Sequence, residues 1–176
     1  MALLRDGGAD NVEEAERHLR VAVRGGGAEA AFRLGALLDR DDDTRCECEQ
    51  WYERAARQGH RRAQVRLGML VAERGDVVGA AHWYREAAQA GSRNGAFNLG
   101  LLLAREGSEP EAAMWWTRAA EAGHGRAALR LALLAARRGD LSAGQQWCAR
   151  AVELGPAEVA ERAARLRDAL QQELSA

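Results

Sequence analysis

Four tryptophans set 32 residues apart, Trp51, Trp83, Trp115 and Trp147, constrain this chain more than any other feature. Each opens a segment of one spacing that closes on a glycine, at Gly59, Gly91, Gly123 and Gly155, and a weaker copy runs from His18 to Gly26, displaced by 33 residues. Eight residues after each glycine comes a second landmark, Leu34-Gly35, Leu67-Gly68, Leu99-Gly100 and Leu131-Ala132. A fixed period of this length marks a repeat architecture, in which one supersecondary unit is copied and stacked. The one extra residue falls in the Asp41-Asp42-Asp43 stretch, and an insertion in a turn is what such a stack tolerates.

Each copy reads as two antiparallel helices with chemically marked ends. Seven residues before the tryptophan position stand Asn11, Thr44, Asp76, Ser108 and Asp140, all types whose side chains accept the unpaired amide protons of a first helical turn. Thr44 with Glu47 and Ser108 with Glu111 extend this into capping boxes, and Pro110 sits where its missing amide proton costs little. Glycines at 26, 59, 91, 123 and 155 predict left-handed turns that end these helices, and Gly75, Gly107 and Gly139 lie in the other set of turns. The predicted helices span 11–24, 28–40, 44–58, 61–74, 76–90, 93–106, 108–122, 125–138, 140–154 and 157–172.

Small residues surround each tryptophan: Ala15, Cys48, Ala80, Ala112 and Gly144 three positions before it, and Ala55-Ala56, Ala87-Ala88, Ala119-Ala120 and Ala151-Val152 after it. Neighbours at these spacings share one helix face, so the indoles are expected to be the core packing that joins the helices.

The pattern Ala-x-x-Leu-Gly, a Gly-Asp-type turn, a small residue three before Trp, and Trp-Tyr-x-x-Ala-Ala-x-x-Gly-His resembles Sel1-like repeats of the tetratricopeptide superfamily, over about residues 11–172. Those units usually run longer than 32 residues, so the longer turn is shortened here. The resemblance implies an all-α fold, a right-handed superhelical solenoid of about four and a half repeats, acting as an adaptor or scaffold for other proteins. A single solenoid over 1–176 is expected, with 157–172 as a polar capping helix carrying Glu161, Arg162, Arg165, Arg167 and Asp168. The chain begins almost inside a copy, with only Met1 to Asp6 available for the first helix of the first pair, which makes that end a weak point or a partner-binding edge.

In this superfamily the first helix of each pair lines the concave surface, and the resemblance places three positions of each copy there. They are Phe32, Val65, Phe97 and Leu129, then Arg33, Arg66, Asn98 and Arg130, then Glu29, Arg62, Asn94 and Arg126. These twelve positions hold five arginines and one acid in a chain whose net charge is −1, so a locally basic groove with an apolar floor is expected. The partner-binding candidates are Arg33, Arg62, Arg66, Asn94, Phe97, Asn98, Arg126, Leu129 and Arg130. Guanidinium groups match carboxylates with paired hydrogen bonds, which points to an acidic protein or peptide segment. Some tetratricopeptide domains grip a C-terminal carboxylate with asparagine and basic residues. Asn98, Arg126 and Arg130 match three such positions, whereas Val65 and Met69 depart from the pattern, so a full clamp is not expected. The competing reading is that arginine is merely common in a chain without lysine, its stem covering apolar surface while its head stays in water.

Other chemistry finds little support. Cys46 and Cys48 point to opposite sides of a helix, Cys148 occupies the aromatic position of the other copies, and three cysteines make no disulfide framework, so neither metal nor nucleophile is expected. His60 and His124 follow the turn glycine as structural residues. No phosphate-cradling loop or nucleophile elbow is present, so no catalytic residue and no cofactor is assigned. Glu53, Glu86, Glu121 and Glu153 on the second helices argue against a broad basic stripe for nucleic acid. No apolar run reaches the roughly 20 residues of a membrane span, which makes a cytoplasmic scaffold the default, with the sensor portion of a larger regulator as an alternative.

Overall fold

The structure, a computed structural model, describes residues 6–39 and 44–175, with side chains in the first helix from Asn11 onward. The Asp41-Asp42-Asp43 stretch and residues 1–5 lie outside the described residues. Ten helices and no strand occur among them.

The chain divides into two compact units, Met1–Ala90 and Gly91–Ala176. The first holds α1 (Asp6–Arg24), α2 (Ala28–Leu38), α3 (Arg45–Arg57), α4 (Arg61–Glu73) and α5 (Val77–Gln89), each packed on the next. The second holds α6 (Arg93–Arg105), α7 (Glu109–Glu121), α8 (Gly125–Arg137), α9 (Leu141–Leu154) and α10 (Ala157–Ser175), again packed in succession, with α10 also against α8.

The helix starts are only partly those expected. Asp76 and Asp140 accept the Gly79 and Ala143 amides at 2.8 and 3.0 Å, as capping carboxylates should. Thr44 and Ser108 make no capping hydrogen bond, so both predicted capping boxes are corrected. The Thr44 hydroxyl instead donates back to the Leu38 carbonyl, and Glu47 is taken by Trp51 and Arg20. Asn11 lies inside α1 rather than at its start. Three caps come from residues that were not expected to cap: Ser92 accepts Gly95 N, and His60 and His124 accept Ala63 N and Ala127 N through Nδ1 at 3.1 and 3.2 Å. The turn glycines adopt positive φ as predicted, except Gly155, whose φ is −87°.

The tryptophan row is not the core. Trp51, Trp83, Trp115 and Trp147 are half-buried, and the fully enclosed side chain is the next residue in each copy, Tyr52, Tyr84, Trp116 and Cys148. These rings lie across the glycine of the Leu-Gly pair. A Cβ at Gly35, Gly68 or Gly100 would stand 2.9, 2.7 or 2.5 Å from the ring of Tyr52, Tyr84 or Trp116. In the last copy the sizes are exchanged: Ala132 replaces glycine, Cys148 replaces the ring, and both are fully buried with Leu170 of α10. Adding volume on one side while removing it from the other keeps close packing without strain. The half-buried indoles work at the helix flanks, where Arg54 and Arg118 lie 5.7 and 5.5 Å from the Trp51 and Trp115 rings.

The last helix covers the second unit as a cap. Val159, Ala163 and Leu170 turn inward, while Glu161 and Arg165 pair on the outer face. It runs three residues past the predicted end at 172.

Candidate partner-binding face

In the first unit, two arginines of the α2 and α4 face are paired with acids of the same unit. Arg33 pairs with Glu29 at 2.6 Å, and Glu29 also meets His60 Nε2 at 2.9 Å. The His60 hydrogen bond, with that of Arg33, holds the Glu29 carboxyl below its ordinary range. Arg66 pairs with Asp39, which accepts the Tyr52 hydroxyl at 3.1 Å as well. Burial pushes the Tyr52 phenol up to about 12, so this hydroxyl stays a donor. Two of the arginines assigned to the groove are thus bound to acids of their own unit, and Arg62 is exposed. Val65 lies buried beneath them.

The second unit is built differently at the same repeat positions. Asn94 stands where the first unit has Glu29, and Ala104 where it has Asp39. A cleft of about 280 Å³ lies between α6, α8 and α10, floored by Phe97, Leu129, Leu133 and Val159 and rimmed by Arg126, Arg130 and Arg162 against a single acid, Glu158. None of these three guanidinium groups makes an ion pair among the described residues. Two further depressions adjoin it: one shares Arg126 and adds Arg93 and Asn94, and the other shares Arg130 and Leu133 and adds Trp116 and Arg137. Five of the nine expected residues, Asn94, Phe97, Arg126, Leu129 and Arg130, line these connected hollows. Asn98 is half-buried beside them on α6.

Four contributors escaped sequence reasoning. Arg162 was read only as part of a polar capping helix, and Glu158 and Val159 were not singled out; α10 reaches this face because it packs on α8 as well as α9. His124 was read as structural, and it both caps α8 and stacks on Phe97 at 4.3 Å, fixing that ring at the cleft floor. His60 and Phe32 repeat the stack at 4.5 Å in the first unit.

His124 also makes the second unit sensitive to acid. Burial, then the nearby Arg93 and Arg126 charges, press its pKa down to about 4 from 6.5. The unfolded chain therefore binds a proton that the folded one refuses between these values, so stability is full above pH 6.5 and declines as pH falls toward 4. Protonation would also remove the Nδ1 lone pair that caps α8. His124→Asn, which keeps a capping side chain, should flatten this part of the stability-pH curve by on the order of 2 kcal/mol relative to wild type. Urea titrations at pH 7 and pH 4.5 check it, and parallel losses in both proteins would refute it.

The cysteines carry no sign of activation. Burial raises the Cys48 thiol to about 11 and raises Cys148 also, while Cys46 is exposed. Among the described residues no three His, Cys, Asp or Glu side chains converge on a possible metal position, and no helix is long and apolar enough to cross a membrane.

A face of paired helices with arginine-rimmed hollows, built on ring-into-glycine packing, defines a helical repeat protein, and its fold is that of the Sel1-like and tetratricopeptide repeats. A protective antigen of uropathogenic Escherichia coli strains, c5321, displaying an SLR fold, is similar with a TM-score of 0.77 and 24% identity over 90% of this chain and 36% of that one. A Sel1 repeat protein from Oxalobacter formigenes matches at TM-score 0.73 and 25% identity, over 81% of this chain and 65% of that chain. YrrB, a tetratricopeptide protein with an unusual peptide-binding site, matches at TM-score 0.58 and 19% identity, over 90% and 86% of the two chains. The chain thus spans about a third of the first of these proteins and just under two thirds of the second. No protein-family model matches the sequence, and no curated protein does.

Proposed function

We infer that this chain is a non-catalytic protein-interaction module, and that the α6, α8 and α10 face of its second unit holds an acidic segment of a partner protein. The observation that carries this reading is the asymmetry between copies. One unit satisfies Arg33 and Arg66 with its own Glu29 and Asp39, whereas the other leaves Arg126, Arg130 and Arg162 around an apolar floor with one carboxylate among them. Phe97, half-buried and held by its stack on His124, supplies an apolar anchor at low entropic cost. The peptide-binding site named for YrrB, a protein of similar fold, supports the same class of ligand.

The test is affinity capture from the source cells with Arg126→Glu/Arg130→Glu beside wild type, scored by mass spectrometry. Both side chains are exposed, so the fold should survive. Specific partners should fall at least tenfold in the double variant, since reversing two charges replaces attraction by repulsion. Unchanged recovery would remove this face as the binding site. If the lost material is nuclease-sensitive, and binding falls steeply with salt, the partner class is nucleic acid instead.

A further inference from the structure

The first unit contains a closed polar cluster at the start of α4. His60 accepts the Ala63 amide through Nδ1, which leaves its ring proton on Nε2, and Nε2 meets the Glu29 carboxylate at 2.9 Å. Glu29 is neutralised in turn by Arg33 at 2.6 Å. Ring donor, carboxylate and guanidinium are all satisfied within the unit.

At the start of α8 the second unit keeps the ring and loses the acid. His124 accepts the Ala127 amide through Nδ1 at 3.2 Å, so its proton also sits on Nε2, where it has no acceptor among the described residues. Asn94, uncharged and one methylene shorter, stands at the Glu29 position. A hollow of about 200 Å³ lies here, lined by Arg93, Asn94, Gly123, His124 and Arg126 among others. Unlike the Trp116 indole nitrogen, His124 Nε2 is not an enclosed atom, and the Arg93, Asn94 and Arg126 side chains are exposed. After burial itself, the charges of Arg93 and Arg126 do most to lower the His124 pKa, so both guanidinium groups lie close to the ring. Arg93 gives one N–H to the Gly123 carbonyl at 3.3 Å, and neither arginine is paired with an acid among the described residues. A ring donor and two positive charges thus share one accessible hollow that holds no carboxylate of its own.

We propose that this hollow receives one glutamate or aspartate side chain of the partner segment, held by the His124 Nε2–H and by the Arg93 and Arg126 guanidinium groups. The inference rests on the partner-binding reading of the adjoining cleft, with which the hollow shares Arg126, and adds to it the place of one charged contact. Glu29 is the precedent for the chemistry, because the equivalent ring nitrogen, fixed in the same tautomer by the same kind of cap, meets a carboxylate there. Guanidinium groups strengthen such a contact, since their hydrogen bonds to a carboxylate are charge-assisted.

The test follows the His124 Nε2–H proton by proton–nitrogen NMR, its signal being assigned by its loss in His124→Asn. An acetylated, amidated hexaglutamate peptide is added at constant ionic strength, and its affinity is measured in parallel by isothermal titration calorimetry. Its carboxylates are all side-chain groups, and hexaglutamine is the control. The ring proton should move downfield and exchange more slowly with water as hexaglutamate saturates the protein, and stay in place with hexaglutamine. Asn94→Glu, which rebuilds the first unit's cluster, should show that shift without peptide and bind hexaglutamate at least tenfold more weakly. Arg93→Gln should weaken binding at least threefold. A ring proton unmoved by saturating hexaglutamate, or an Asn94→Glu protein that binds as wild type does, would overturn the subsite and leave the cleft as the binding face. Should hexaglutamate not bind at all, the acidic-partner reading and this subsite fall together.

Discussion

Gly125→Ala is expected to destabilise the second unit by about 3 kcal/mol or more, lowering its melting temperature by roughly 10–20 °C. A methyl group there would stand 2.3 Å from Gly155 Cα, 2.4 Å from Gly155 N and 2.7 Å from the Leu154 carbonyl carbon. All three obstacles are backbone at the end of α9, so no side chain can rotate away. Gly155 has no slack either, since its own Cβ would meet Ala151 O at 2.6 Å and Val159 Cγ1 at 2.7 Å. The equivalent positions in earlier copies are Arg61 and Arg93, whose side chains reach the following turn and donate to the Ala90 and Gly123 carbonyls at 3.3 Å. Restoring that repeat pattern with Gly125→Arg should therefore be worse than Gly125→Ala, although it makes the copies more alike. Urea unfolding followed by circular dichroism decides it, and a loss below about 1 kcal/mol for either variant would show that the α8 and α9 ends part easily.

The second large effect is a coupling rather than a single loss. Trp116→Ala should cost about 3–5 kcal/mol, as for other buried rings. Gly100→Ala alone should cost about 1–3 kcal/mol, because its Cβ would lie 2.5 Å from Trp116 Cδ1 and Nε1, outweighing the gain of about 1 kcal/mol from replacing a helical glycine. Once the ring is gone, the added methyl meets no ring, and the same substitution should become neutral or stabilising. The double variant should therefore be at least 1 kcal/mol more stable than the two single losses predict. Ala132 and Cys148 already embody the exchanged pair in the last copy. Additive losses would mean that glycine is not there to admit the ring.

Much of the fold was legible because the information is local. Glycine at a left-handed turn, aspartate before a helix and a 32-residue period are properties of neighbouring residues, and the predicted helices agree with the observed ones to within two residues at most ends. The exceptions were ends with a competing partner. Thr44 had Leu38 O within reach, and α1 begins well before Asn11. Histidine at 60 and 124 gave no cap signal because its ring accepts only through Nδ1 held at the right angle, which the stack on Phe32 or Phe97 secures.

The core residue was the sharper error, and its cause is geometric. Cys48, Ala55 and Ala56 lie within one helical turn of both Trp51 and Tyr52, so small neighbours cannot say which ring points inward. Successive residues differ by about 100° around a helix, and the choice rests on where the facing helix places its glycine.

By itself, the sequence determined the class of fold, the helix pairs and the turn positions, since each follows from spacing along the chain. Tertiary structure decided which ring was buried and which arginines were spent. Glu29 and Asp39 sit beside Arg33 and Arg66 in space, Asn94 and Ala104 replace those acids in the second unit, and α10 brings Arg162 to Arg126 and Arg130. Charge neutralisation depends on distances of a few ångströms between side chains on different helices, and no periodicity in one dimension records them.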